Sequence, residues 1–250
     1  QKFNLQDVQI TAKSLIEEDM SILDEMLYTV DKKRFFNTDA VSRFQSIQDG
    51  AEFILANDDR KKDFLKITRR LKDAFIVAAG ILNEEYKTRI LYYISVRHYI
   101  MKLDYEGYKF NTEEINKHVQ DLISEAIKGD EVKVLTQVSE EKEKIKIWEL
   151  LSEDSIEELR KANPPHIFIK IMQKLLNEAI KEYKQYNLIK SNEYSEKLRM
   201  LLDRYNTRED ASTINKTIMG LVDFSREMVE DKNKSEKNKL RGREKAFYDA

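Results

Sequence analysis

Three features of the sequence predict an all-α fold, a multi-helix bundle of about seven to nine helices with an irregular middle excursion. Helix breakers are scarce, apolar residues recur at helical spacing in block after block, and alternation at period two is rare. The 250 residues hold 6 glycines and 2 prolines, where average usage would give about 30. Turns are therefore few and helices long. A chain of this length buries about 70–75% of its unfolded surface, so its core needs neither disulfides nor a structural metal.

In chain order, residues 1–57 carry the weaker signals, a helix over residues 15–30 and another over 39–47, joined by a turn-like stretch at 31–37. Over residues 58–79, Phe64, Ile67, Leu71, Phe75 and Ala78 form one stripe, with Lys62, Lys66, Arg69 and Arg70 on the other side. Gly80 marks a stop. Residues 83–105 are apolar nearly all round, from Ile90 to Leu103, as the middle helix of a bundle would be. Asn111 with Glu114 three residues on predicts the capped start of an amphipathic surface helix ending at Gly129.

Over residues 130–151 the pattern breaks into a loop or short irregular excursion. Ser155 and Glu158 then cap a short helix to Ala162. Asn163-Pro164-Pro165 forces an extended residue and restarts the chain as a helix, since proline is tolerated in a first turn. Residues 166–186 show the cleanest stripe, through Phe168, Ile171, Met172, Leu175, Leu176, Ala179, Ile180 and Tyr183. Helices over 192–205 and 212–230 close the bundle, and after Asp231 the apolar pattern gives way to a basic tail.

The composition excludes several function classes. With 44 Lys and Arg against 46 Asp and Glu, charges nearly cancel, so no global field marks a nucleic-acid or membrane binder. Absence of cysteine removes disulfide frameworks, thiolate zinc sites and nucleophilic thiols. No apolar run approaches the roughly 20 residues that span a bilayer, and the N-terminus lacks a signal peptide. A cytoplasmic location and no membrane partner are expected. The start at Gln1 rather than Met predicts an excised fragment or a chain that has lost its start.

Catalytic motifs are not found. The glycines lie too far apart for GxxxxGK[ST] or GxGxxG phosphate loops. His98, His118 and His166 fall on three different helices without a second ligand nearby, which favours structural or surface roles over a metal site. Glu-x-Lys triplets at Glu85, Glu140 and Glu182 invite comparison with magnesium nucleases, but follow no strand and read as solvated helix faces. No catalytic, cofactor-binding or metal-binding residue is therefore assigned.

Two basic features remain as candidate partner or DNA contacts. Lys62, Lys66, Arg69 and Arg70 share one helical face, reinforced by Arg60, Lys61 and Lys72; the plain alternative is a solvated face. In the tail, Lys232, Lys234, Lys237, Lys239, Arg241, Arg243 and Lys245 stand against Glu236 and Glu244; the plain alternative is a solubilising, disordered end.

After Asn163-Pro164-Pro165-His166 come Lys174-Leu175-Leu176-Asn177-Glu178-Ala179-Ile180, Tyr194-Ser195-Glu196-Lys197-Leu198 and Arg204-Tyr205-Asn206-Thr207-Arg208, in that order. This series resembles the C-terminal helical domain of type I restriction endonuclease R subunits. That family shows a run like KLLNDEIK and a stretch SxxFSExLxxxxxRYxNR, which Ser191 to Arg208 reproduces with Tyr194 in place of the usual Phe. The likeness extends back, more loosely, to Asp58.

The resemblance implies a division into a helical linker following an absent motor region (1–57), a helical docking domain (58–231) and the basic tail (232–250). It implies a non-catalytic assembly and coupling role, docking the motor subunit onto the methyltransferase and specificity subunits. DNA would be met through the parent complex, which translocates and cleaves unmodified DNA. ATP and magnesium are expected only in the absent parent domains. One rival reading is a nucleic-acid-binding helical module using the basic patches, which a strong salt dependence of duplex binding would favour. Another is a free-standing helical scaffold.

Overall fold

The computed structural model describes residues 5–36, 39–104, 147–207 and 210–248, and beyond Ser235 the backbone alone. Among the described residues there are nine α-helices and no strand. These are α1 (Leu5–Met26), α2 (Ala40–Leu55), α3 (Asp58–Ala78), α4 (Glu84–Asp104), α5 (Ile147–Leu150), α6 (Glu153–Ala162), α7 (Pro165–Tyr183), α8 (Leu188–Asn206) and α9 (Ala211–Tyr248). The expected all-α class is what the chain adopts. No helix among the described residues is long and apolar enough to cross a membrane.

Several boundaries differ from those the sequence predicts, for identifiable reasons. α1 begins at Leu5 rather than at residue 15, because its buried positions Ala12, Ile16, Met20, Leu23 and Leu27 recur every three or four residues within a mainly polar sequence. α2 runs on to Leu55, past Gly50, which serves close approach and not termination: a Cβ there would lie 2.5 Å from Tyr92 Oη and 3.0 Å from Val96 Cγ2 of α4. α6 is capped by Ser152, whose Oγ accepts from the Ser155 amide at 3.4 Å, and not by Ser155. The end of the expected irregular stretch is the one-turn α5, and α9 continues past Glu230 to Tyr248. Lys and Glu sustain a helix after its apolar stripe has ended. The expected helix at 111–129 and the excursion at 130–146 lie outside the described residues.

The chain divides into two compact units, Gln1–Glu140 and Glu141–Ala250. In the first, α3 packs on α1, α2 and α4, and α2 packs on α4. Within residues 1–57, α1 and α2 belong to this unit. Ile16, Leu23, Phe64, Leu71, Val96 and Ile100 are fully buried; each such side chain contributes about 1.5–3 kcal/mol. α4 is buried on most sides, as its apolar circumference predicts.

In the second unit α7 is the hub, in contact with α5, α6, α8 and α9. Pro165 opens it at the first helical position, and Asn163 closes α6 by donating from Nδ2 to the Leu159 carbonyl at 2.8 Å. Tyr194 bridges the helices edge-on, its ring centroid 5.4 Å from Tyr183 and 5.6 Å from Phe224.

Candidate functional site

The basic helix α3 starts at Asn57, whose Oδ1 accepts from the Arg60 amide at 2.8 Å, with Asp58 and Asp59 complementing the helix dipole in the first turn. Phe64, Thr68, Leu71, Ala74, Phe75 and Ala78 turn inward. The amphipathic repeat therefore leaves Lys62, Lys66, Arg69 and Arg70 exposed, but tertiary contacts give these four cations different roles.

Arg70 is a structural group. Its Nε donates to Asp19 at 2.9 and 3.1 Å, its Nη2 also meets Asp19, and Glu18 lies at 3.4 Å. The Asp19 carboxylate is fully buried. Lys62 pairs with Asp59 at 3.2 Å in the open, a contact worth little. Of the reinforcing residues, Arg60 donates to the Phe53 carbonyl at 2.7 Å and Lys61 pairs with Asp104 at 2.6 Å. Lys66 and Arg69 form no ion pair among the described residues.

Sequence reasoning missed Arg97, which α4 brings against the backbone of α3. Its Nη1 donates to the Leu65 carbonyl at 2.5 Å and stands 3.5 Å from Thr68 Oγ1. Burial, then the neighbouring charge of Arg69, pulls its pKa below the usual guanidinium value, with Asp73 acting the other way. No sequence spacing announces this neighbour, because it arrives from a different helix.

Beside these cations, between α1 and α3, lies a groove of about 1020 Å³ lined by Lys66, Arg69 and Arg70. Val8, Leu15 and Val77 line it too and are each more than one third exposed. Asp63 and Asp73 face it, so its charge is mixed.

A second polar cluster in this unit centres on Asp24, which receives Lys32 Nζ at 2.8 Å, Tyr93 Oη at 2.5 Å and Arg89 Nη2 at 2.7 Å. Burial raises the carboxyl, but the hydrogen bonds from Lys32 and Tyr93 and the charges of Lys32 and Arg89 outweigh it and hold the pKa below its ordinary value. Its cations are thus consumed internally.

The other predicted contacts belong to the second unit. Lys232 sits 5.2 Å from the Trp148 ring centroid, a cation–π contact. Lys234 lies 3.6 Å from Glu230 and 4.0 Å from Asp231. Lys237, Lys239, Arg241 and Arg243 are carried on the continuing backbone of α9, and their side chains lie outside the described residues.

Several of the features weighed as chemistry have structural partners. His166 Nδ1 lies 2.7 Å from Tyr205 Oη in the core. Glu182 accepts from Trp148 Nε1 at 2.7 Å, and Lys87 pairs with Glu84 at 2.8 Å. His118 and the triplet at Glu140 lie outside the described residues. Among the described residues no group of three or more His, Asp or Glu is placed to hold a metal ion.

Tyr194, the departure from the family's usual Phe, is buried and donates its hydroxyl to Asp231, which Lys190 also meets. Burial and then the hydrogen bond to Asp231 push the phenol pKa well above its usual range. The extra oxygen ties α8 to α9.

Comparison with known proteins agrees with these motif positions. Residues 2–250 match the family model described as type I restriction enzyme HindI endonuclease subunit-like, C-terminal. Over 203 residues the chain is 23% identical to the protein of Methanocaldococcus jannaschii assigned as the type I restriction enzyme MjaIXP endonuclease subunit, an alignment covering 78% of this chain and 18% of that protein. No solved structure matches. A match along the whole chain, with the resembling segments packed against one another in one helical unit, places this protein in the C-terminal family of type I restriction enzyme endonuclease subunits.

Proposed function

We propose that the chain is a non-catalytic assembly and coupling domain of a type I restriction R subunit, docking the motor part of that subunit onto the methyltransferase and specificity subunits. The observation that carries this reading is the match of residues 2–250 to a family defined as the C-terminal part of such endonuclease subunits. The matched relative is far longer than this chain, and the alignment covers 18% of its length. In this reading the remainder of the subunit, in the cytoplasm, holds the ATP and magnesium and performs translocation and cleavage of unmodified DNA. Residues 58–231 form the docking body and residues 232–250 a basic tail. Exposed apolar side chains of that body, such as Ile76, Val77 and Met101, support a protein-binding role.

The test is retention of the 250-residue chain by the purified methyltransferase and specificity subunits in the absence of the motor. Binding at micromolar concentration is expected, and no retention overturns the docking role. The same preparation should neither hydrolyse ATP nor cut DNA. Turnover that persists only while the protein is folded would overturn the non-catalytic assignment.

A further inference from the structure

We infer that residues 111–129 of this chain occupy the groove between α1 and α3, laying the apolar stripe of an amphipathic helix along its floor. This inference does not rest on the docking role. Val8 and Leu15 of α1 and Ile67, Ala74 and Val77 of α3 give the groove an apolar floor. Val8, Leu15 and Val77 are nevertheless 39%, 37% and 38% exposed. Apolar surface running along two packed helices is where a third helix gains most by burial.

Residues 111–129 offer a matching face. After the Asn111–Glu114 capping pair, Ile115, Val119, Leu122, Ile123, Ala126 and Ile127 recur at helical spacing until Gly129. At 1.5 Å per residue this stripe runs for about 18 Å from Ile115 to Ile127. The α3 wall of the groove, from Asp63 to Val77, runs for about 21 Å. The two faces therefore agree in length, and an elongated wall suits a helix laid in a groove.

The connection sets where the segment can go. α4 ends at Asp104, which Lys61 meets at 2.6 Å beside the first turn of α3, and the groove begins close by at Asp63. Residues 105–110 extend to at most about 23 Å before Asn111, whereas half the circumference of a helix is about 16–19 Å. The segment thus enters at the Asp63 end and runs parallel to α3. The first unit extends to Glu140 and includes it. Its charge suits the rim: Glu113, Glu114, Asp121 and Glu125 stand against Lys117 and Lys128, and Lys66 and Arg69 form no ion pair among the described residues. Filling the groove covers Val77 but not Ile76 or Met101, which do not line it.

The test uses the absence of cysteine from the chain, which makes any introduced pair its only thiols. In the 250-residue chain Val77→Cys is combined in turn with Leu122→Cys, Ala126→Cys and Ile127→Cys on the stripe, and with Asp121→Cys and Lys128→Cys on the charged face. A disulfide needs Cβ atoms about 3.5–4.5 Å apart. After mild oxidation, at least one stripe pair is expected to close within the monomer several-fold faster than either charged-face pair, read by mobility on a non-reducing gel. No closure from the stripe, or equal closure from both faces, overturns the inference. A disulfide-linked dimer as the main product overturns it in favour of a second copy of the chain.

A second measurement needs no cross-link. Leu122→Asp and Val77→Asp should each raise the binding of an apolar-surface dye, and the double variant should bind no more than the stronger single one, because both open the same contact. Circular dichroism checks that helix content is kept. Unchanged dye binding in Leu122→Asp, or additive increases, overturns the shared contact. Both experiments use the chain alone, so their failure leaves the docking role standing.

Discussion

Nδ1 of His166 and the hydroxyl of Tyr205 lie 2.7 Å apart, 39 residues separated in sequence and both buried. The bond joins the Pro164-Pro165 restart of α7 to the Arg204-Tyr205-Asn206 end of α8, two of the segments that carry the family resemblance. At these positions the resemblance reflects packing rather than chemistry. Tyr205→Phe keeps the ring and removes this partner of His166, at an expected cost of about 1–3 kcal/mol. Urea unfolding measures it, and a midpoint equal to the wild type would show that the bond contributes nothing.

Adjacent arginines of α3 should behave oppositely. Arg70→Ala strands the fully buried Asp19 carboxylate, at about 2–4 kcal/mol, below the full value for an enclosed pair because water reaches the Arg70 side. Arg69→Ala should shift stability by less than about 0.5 kcal/mol, as expected for an exposed side chain. Thermal melts of the two variants compare them directly. Equal losses would contradict the division into structural and available cations.

Two glycines at helix crossings offer a second contrast. At Gly50 a new Cβ meets the buried Tyr92 ring and Val96, so Gly50→Ala should destabilise by about 1–3 kcal/mol through overpacking. At Gly220 the obstacle is the Leu201 Cδ2 methyl at 2.7 Å, the far end of a flexible side chain. Gly220→Ala should be neutral or should stabilise by up to about 1 kcal/mol, the helix-propensity gain. Chemical denaturation of both variants checks the signs.

Acid should loosen the first unit through Asp24. Its folded pKa lies below the ordinary carboxylate value, so the unfolded chain binds the proton more readily. The stabilisation is therefore fully present above pH about 4 and is lost as pH falls through the lower folded value. Asp24→Asn should flatten the acid side of the stability profile and cost about 1–2 kcal/mol at neutral pH, discounted for partial exposure. An unchanged slope between pH about 5 and 3 would assign the acid sensitivity to other carboxylates.

Truncation separates the packed from the basic part of α9. Ending the chain after Glu230 removes the acceptor of Tyr194, the Lys232 contact with Trp148 and Ser235, which lies 3.4 Å from Tyr183 Oη. A loss of about 1–3 kcal/mol and a change in Trp148 fluorescence are expected. Ending it after Ser235 keeps all three contacts and should be nearly silent in the melt. An equal loss in both truncations would show that residues beyond 235 are packed.

The all-α class, the restart at Pro164-Pro165 and the stripes of α3, α4 and α7 were legible in the sequence, because proline geometry and helical periodicity are local properties. So was the family, because its motif residues retain both order and spacing. The N-terminal half of α1 was not legible: a mainly polar helix shows its buried stripe only when a partner helix selects it. Nor was the run of α2 past residue 47, where Gly50 sits in close approach to Tyr92. Among the basic residues the sequence by itself determined one exposed face on α3, and no more. Only the tertiary structure decided that Arg70 neutralises Asp19 from α1 and that Arg97 arrives from α4. Charge is written residue by residue, whereas pairing depends on which helices pack, and that arrangement is set by the apolar core they share.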